Sequence, residues 1–292
     1  MYNVNYQIIA ESSSKPDVSI VVPVYNGQEY IRRCLEYLVW QTKQEIEVVI
    51  IDNFSDDNTL NICLEFYKEF PDKVSIYQLK EHKNSHVYGR NLGIDLAKGE
   101  YLMFCDADDI MHFRATELAY QYAIERNFDL VCFPHYIVEG HRIRVHGRIK
   151  NFSVKNLMME GEIAFWCKCV RKKCLLDYGY VPENVVNDDW AYWFGVYEHL
   201  NHIGYLNVPL YYYIKRSSSE AHDIYSRRKL DIIKPHNIAL SSVDKNKEIM
   251  EYMTAKHLHV NINRDWVQLD KFLHHLKELW PTLKNNSYLK ND

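Results

Sequence analysis

The chain has 292 residues, of which 47% are hydrophobic and 25% charged, and a formal net charge of −4. That composition supplies a sizeable core and excludes a disordered or low-complexity chain. The absence of a basic excess argues against a nucleic-acid partner, and without a run of about 18 or more uncharged apolar residues no membrane span is expected.

The opening segment, "MYNVNYQIIAESSSKPD", lacks the basic start and long apolar centre of a secretory signal. Beyond it, two periods alternate. "VSIVVPVYN" (18–26) is a continuous β-branched run, the mark of a strand buried on both faces of a parallel sheet. Residues 29–41 place Ile31, Leu35, Leu38 and Val39 at helical spacing, and "EIEVVIIDN" (45–53) is a second buried strand. Residues 57–69 set Leu60, Leu64 and Tyr67 on one helical face, with Asp56 or Asp57 available as a cap. "KVSIYQL" (73–79) is a third strand, 88–97 a short helix stopped by Gly99, and "EYLMFCD" (100–106) a fourth strand. This rhythm predicts an α/β fold, a doubly wound, mostly parallel sheet with right-handed crossovers.

After 110 the pattern loosens. A helix is expected near 113–126, then an apolar strand, "DLVCFPHYIV" (129–138), and an exposed basic hairpin, "EGHRIRVHGRIK" (139–150). Helical text with aromatic residues occupies 188–200, and "NVPLYYYI" (207–214) reads as a strand. From about 224 the chain is helix-like, with Trp266, Leu269, Phe272, Leu273, Leu276 and Leu279 at helical spacing. There is no internal repeat.

Seven cysteines (34, 63, 105, 132, 167, 169 and 174) are odd in number and contain no C-x-x-C pair. Reduced thiols in a cytoplasmic setting follow. The C-x-C-x4-C cluster at 167–174 matches no strong zinc spacing, so burial as small apolar side chains is expected. Most of the 23 tyrosines are read as half-buried packing groups, although such rings can also line sugar or base sites.

The chemistry concentrates at strand ends. In "FCDADDI" (104–110), Asp106, Asp108 and Asp109 crowd three carboxylates into four positions. Ligands of open α/β sheets bind beyond the carboxyl ends of the strands, where Asn26, Asp52, Asn53 and this cluster all lie. A D-x-D turn can hold Mn2+ or Mg2+ through hard oxygen ligands. A second acidic pair, Asp188 and Asp189, opens the helical text near 190; Asp188 can also serve as an N-cap.

"VSIVVPVYNGQEYIRRCLEYLVWQT", "VVIIDNFSDDNT", "GRNLGIDLAKGEYLMFCDADD", "FWCKCVRKKCL", "PENVVNDDWAYWF" and "LYYYIKRSSS", in this order, closely resemble family 2 of the glycosyltransferases over roughly residues 17–219. The resemblance implies a GT-A fold and sugar transfer from a nucleoside diphosphate donor. It divides the chain into an N-terminal extension (1–16), a nucleotide-sugar-binding half (17–110), an acceptor-binding half (111–219) and a C-terminal helical extension (220–292). Pro23, Tyr25 and Asn26 then look like the first nucleotide contact, with Tyr25 near the base. Where the family commonly has an acid that pairs with uracil, this chain has Asn53 after Asp52, which can accept a base N–H but lacks the charge. Arg90 resembles the family's arginine beside the base and the acidic cluster, where it would also relieve carboxylate repulsion. Asp106, Asp108 and Asp109 look like the ribose and metal side, and His222 would be a further metal ligand. Asp189, or Asp188 on a register one residue earlier, looks like the catalytic base of inverting members. Lys215 and Arg216 would meet the diphosphate, and Trp166 would shape the acceptor side or sit in the core.

The reading is thus a metal-dependent inverting glycosyltransferase, using a nucleoside diphosphate sugar (a UDP-sugar) and a saccharide or lipid-linked saccharide acceptor, cytoplasmic or peripheral at the inner face of the membrane. Short members of the family commonly build bacterial surface polysaccharide, such as capsule or lipopolysaccharide. The basic residues Arg142, Arg144, Arg148 and Lys150 could attract anionic headgroups or glycan. Residues 224–292 could dock on the core, form a homodimer or lie on a bilayer. A nucleotidyltransferase would want a Gly-rich basic loop after the first strand and an oxidoreductase G-x-G-x-x-G, and "PVYNGQEY" has neither. A degenerate sugar-nucleotide-binding or scaffold protein is favoured only by Asn53.

Overall fold

The computed structural model describes residues 2–153, 156–157, 164–183 and 188–216. The expected C-terminal helical extension, with its docking, dimer or bilayer face, lies outside the described residues.

The buried apolar runs form the strands. The main sheet contains β1 (Tyr6–Ala10), β2 (Val18–Val24), β3 (Ile46–Asp52), β4 (Val74–Leu79), β5 (Tyr101–Phe104), β7 (Leu130–Cys132), β10 (Lys168–Arg171) and β11 (Ile203–Tyr205). Their order is β1-β4-β3-β2-β5-β10-β7-β11. The pairs β2/β3, β3/β4, β2/β5 and β7/β11 are parallel, while β1/β4, β5/β10 and β7/β10 are antiparallel. The sheet is thus a mixed, mostly parallel α/β sheet flanked by helices. A second sheet, ordered β6-β12-β8-β9, joins β6 (Ile110–Met111), β8 (His135–Glu139), β9 (Arg142–His146) and β12 (Tyr211–Ile214).

Two apolar layers cover the main sheet. Alternation along β2 sends Val18, Ile20, Val22 and Val24 to the face covered by α1 (Ile31–Val39), α2 (Thr59–Glu69) and α4 (Ala115–Glu125). Val21 points to the other face, with α3 (Val87–Leu96), α5 (Lys172–Tyr178) and α6 (Asp188–His199). Helix α3 lies unusually close to β2. A Cβ at Gly93 would stand 2.2 Å from Val21 Cγ1, and one at Gly89 2.9 Å from Pro23 Cβ. The two glycines of "GRNLG" therefore set how near α3, and Arg90 on it, approaches the sheet.

Three elements differ from the sequence expectation. The 129–138 run splits at Pro134 into β7 and β8, which enter different sheets, because proline cannot continue the ladder. The expected hairpin begins earlier, as β8 pairs antiparallel with β9 from His135↔His146 to Glu139↔Arg142. The N-terminal extension contributes β1, an antiparallel edge strand on β4.

Candidate active site

The carboxyl ends of β2, β3 and β5 lie side by side, since β2 pairs with both others. Beyond β2 the chain turns through Asn26 at φ 48°, a conformation that asparagine tolerates better than most residues. Its Nδ2 donates to Asp56 Oδ1 at 2.7 Å, and Asp56 N–H returns a bond to Asn26 Oδ1 at 3.0 Å, so the two loops brace each other. The Tyr25 ring is partly exposed and lies 4.1 Å from the His82 ring at 30°.

Asp52 and Asn53 face inward. Asp52 is buried and accepts bonds from Gln78 Nε2 at 2.7 Å and from the Ser55 hydroxyl. Burial pushes its pKa up, against these bonds. The Asn53 amide is spent on one residue: Nδ2 donates to the Lys83 carbonyl at 2.6 Å, and Oδ1 accepts from Lys83 N–H at 2.9 Å.

The three acids after β5 have three different partners. Asp106 Oδ1 lies 3.4 Å from Arg90 Nη2. The Asp108 carboxylate pairs with the Arg216 guanidinium, which sits over the Tyr30 ring at 4.0 Å. Asp109 is buried, accepting from the Tyr211 hydroxyl at 2.9 Å and from Ile214 N–H at 2.7 Å. Burial holds the Asp109 pKa well above the usual carboxylate range, and the Asp106 charge adds to this.

Arg90 joins distant segments. Its guanidinium is 4% exposed and lies over the Phe165 ring at 4.6 Å. Nη1 donates to Asp189 Oδ1 at 2.6 Å and to Asp188 Oδ2 at 3.1 Å. Burial alone would lower the Arg90 pKa, but the charges of Asp189, Asp106 and Asp188 outweigh it and raise it. Asp188 also faces His86, whose Nε2 lies 3.1 Å from Oδ1. The ligand-type atoms of His86, Asp188 and Asp189 fall within 4.8 Å of one another, but the Arg90 contacts already supply a positive charge there.

Asp106 and Asp108 are each paired with a guanidinium as well, Asp106 with Arg90 and Asp108 with Arg216. Their side chains are 33% and 26% exposed, and both offer hard carboxylate oxygens. Asp109 has both oxygens bound to the β12 segment.

The remaining sequence candidates scatter. Lys215 lies 3.7 Å from Glu139, away from the acids that its neighbour Arg216 meets. His222 lies outside the described residues. Trp166 is buried and stacks on Tyr211 at 4.6 Å and Tyr213 at 5.8 Å, making it a core ring. Six of the cysteines are buried, and none is paired in a disulfide. Sequence reasoning missed His86, Phe165 and Tyr211. For His86 a signal existed, since it stands four residues, about one helical turn, before Arg90.

The family model for glycosyl transferase family 2 matches residues 19–197. The poly(ribitol-phosphate) beta-N-acetylglucosaminyltransferase TarP of Staphylococcus aureus is 37% identical over 127 residues, which cover 42% of this chain and 37% of TarP. The matched stretch spans about two fifths of the length of such curated relatives as GlyG, TarP and TarS, and under a fifth of longer ones such as GlyA and GgaB. Among solved structures, S. aureus TarS 1–349 in complex with UDP-GlcNAc superposes with a TM-score of 0.79 at 21% identity, covering 91% of this chain and 81% of that one. The mannosyltransferase PcManGT of Pyrobaculum calidifontis, in complex with GDP-Man and Mn2+, gives 0.58 at 16% identity, covering 94% and 83%. At those identities the likeness is one of fold, the GT-A architecture. The family match extends from β2 through most of α6 and takes in all the acids gathered around Arg90, so the chain belongs to glycosyl transferase family 2.

Proposed function

We propose that the chain transfers a sugar from a UDP-sugar to a hydroxyl of a saccharide or lipid-linked saccharide acceptor, with inversion, and uses Mn2+ or Mg2+. The observation that carries this reading is the bridge made by Arg90. One buried guanidinium touches Asp106, from the D-x-D turn, and the Asp188–Asp189 pair, which are 98 and 99 residues away from it in sequence. A donor-side acid and a base candidate are thereby fixed on two sides of one cation.

Asp106 and Asp108 would hold the ion, with Asp109 fastening the β12 segment behind them. The ion, when bound, neutralises charge on the leaving diphosphate. Asp189 takes the proton of the acceptor hydroxyl as that oxygen forms its bond to the anomeric carbon; the bond to the diphosphate oxygen breaks, and its electron pair leaves with the nucleotide. Asp189, whose Oδ2 carries no hydrogen bond among the described residues, is the base in this reading, and direct displacement with inversion belongs to that assignment. Tyr25 and Pro23 line the base end and Arg216 can turn to the diphosphate, while Asp52, Asn26 and Asn53 brace the loops around it. Residues 17–110 would form the donor half and 111–219 the acceptor half.

The similarity to TarP and TarS, both poly(ribitol-phosphate) beta-N-acetylglucosaminyltransferases, supports a bacterial surface polymer as acceptor, of the poly(ribitol-phosphate) kind rather than the capsule or lipopolysaccharide expected from the sequence. The proposed activity lies in the cytoplasm or at the inner membrane face; no helix among the described residues is long and apolar enough to cross a membrane.

The test is nucleotide release from a panel of UDP- and GDP-sugars with Mn2+, using wild type, Asp108→Ala and Asp189→Ala. The first variant should lose metal-dependent donor binding. The second should bind donor and fail to turn it over. Wild-type rates in both variants would refute the assignment.

A further inference from the structure

Helix α3 carries His86 at its N-cap position and Arg90 one turn further on, a spacing that sends both side chains to one side of the helix. Both meet the first turn of α6. His86 makes no side-chain capping bond to its own helix; instead its Nε2 lies 3.1 and 3.3 Å from the two oxygens of Asp188. Arg90 approaches Asp188 Oδ2 from the other side at 3.1 Å. Asp188 is therefore gripped twice and is 6% exposed. Asp189 is gripped once, through Oδ1 by Arg90. Its side chain is 25% exposed, and among the described residues its Oδ2 carries no hydrogen bond.

We propose that His86 is a positioning residue of the transfer reaction, anchoring Asp188 and with it the first turn of α6 so that Asp189 is the carboxylate left to face the acceptor hydroxyl. This rests on the reading of the site given above. It also divides the acidic pair, with Asp188 as the fixed anion and Asp189 as the base.

The charged groups facing His86 are Asp188 and Asp189 on α6 and Arg90 on its own helix. The His86 side chain is about half exposed; crowding by the surrounding chain and the Arg90 charge push the imidazole pKa down, but the charge and hydrogen bond of Asp188 outweigh them and raise it. Burial pushes Asp188 up, yet His86 and Arg90 together hold its pKa below the ordinary value. Asp189 moves the other way, to about 6, through burial first and the Asp188 charge second, with Arg90 and His86 opposing. Loss of the imidazole should therefore raise the Asp189 pKa further.

The experiment measures UDP-GlcNAc hydrolysis by the full chain with Mn2+ between pH 5 and 9, for wild type, His86→Ala and His86→Gln. His86→Ala should lower kcat by about 10- to 100-fold, as a misplaced catalytic group does, with donor KM within about 2-fold, and should move the acid limb of kcat to higher pH. His86→Gln, which keeps an N–H donor, should recover most of kcat without restoring the limb. A merely structural role would lower kcat at every pH and leave the limb in place. An unchanged kcat and limb in His86→Ala, or a loss confined to KM, would overturn the proposal. A parallel titration of the 14 imidazoles by NMR, with His86 assigned from His86→Gln, separates this idea from the transfer reading. If wild type released no UDP from any sugar nucleotide, the transfer reading would fail. The positioning contact would still be supported by a His86 pKa above about 6.5 that falls in Asp188→Asn, and overturned by one that is the same in both.

Discussion

The Tyr211 hydroxyl donates to the Asp109 carboxylate at 2.9 Å and accepts from Asp106 N–H at 3.0 Å, tying the D-x-D turn to a strand more than a hundred residues later. Tyr211→Phe keeps the ring packing on Trp166 and removes both bonds. A buried acceptor left without its donor costs roughly 2 kcal/mol, which for a chain of this size lowers the melting temperature by about 4–8 °C. Thermal unfolding by circular dichroism checks this, and an unchanged melting temperature would show that Asp109 finds another donor.

Among the described residues, Arg90 is the one cation that touches Asp106, Asp188 and Asp189 together. Arg90→Met should leave these carboxylates without their shared counter-charge and cost about 3 kcal/mol, the scale of breaking a buried pair from one side. Arg90→Lys should recover part of the stability but little nucleotide release, because an ammonium lacks the planar fork that serves both groups. Melting curves and nucleotide-release assays on the two variants distinguish charge from geometry.

Metal dependence should appear in binding before it appears in turnover. UDP with Mn2+ should raise the melting temperature of wild type, by about 2.7 kcal/mol of added stability when ligand is at roughly 100 times its Kd. EDTA should abolish the gain, and Asp106→Asn and Asp108→Asn should not show it. An equal UDP shift with and without metal would remove the D-x-D turn from donor binding.

The Asn53 amide both donates to and accepts from the Lys83 backbone. Asn53→Asp restores the acid common in the family but puts a carboxylate oxygen against the Lys83 carbonyl. UDP affinity by calorimetry should fall rather than rise, and the loop should lose roughly 1–2 kcal/mol of support. Tighter uridine binding in Asn53→Asp would mean that the amide reads the base.

The pH profile follows from Asp189. In its proposed role as the base it must be deprotonated, so kcat should fall as pH drops through about 6. For stability the sign is opposite. A carboxyl with a raised folded-state pKa contributes stability that is fully present below its unfolded value of about 3.9 and is lost as pH rises through about 6. Asp189→Asn should therefore flatten the change in melting temperature between about pH 4 and 6, and an unaltered slope there would show that Asp189 keeps an ordinary pKa.

Much of the architecture was legible in the sequence because periodicity is local. The continuous apolar runs at 18–24, 46–52 and 74–79 could be buried only inside a sheet, and the helical spacings between them required crossovers. Parallel order then put Asn26, Asp52 and Asp106 at one edge whatever the side chains did next. The same local reading failed at 129–138, where one apolar run supplies strands to two sheets, and it assigned no element at 168–171, where a short strand lies among charged residues.

What only the tertiary structure decided is which acid meets which partner. Asp106, Asp108 and Asp109 are nearly indistinguishable in text, yet they end on Arg90, on Arg216 and on Tyr211. Those partners lie 16, 108 and 102 residues away. Backbone periodicity fixes where a strand ends, because each residue's hydrogen bonds and facing are set by its immediate neighbours. The protonation and partner of a carboxylate depend on burial and on charges within a few ångströms, and these come from segments that meet only when the chain has folded.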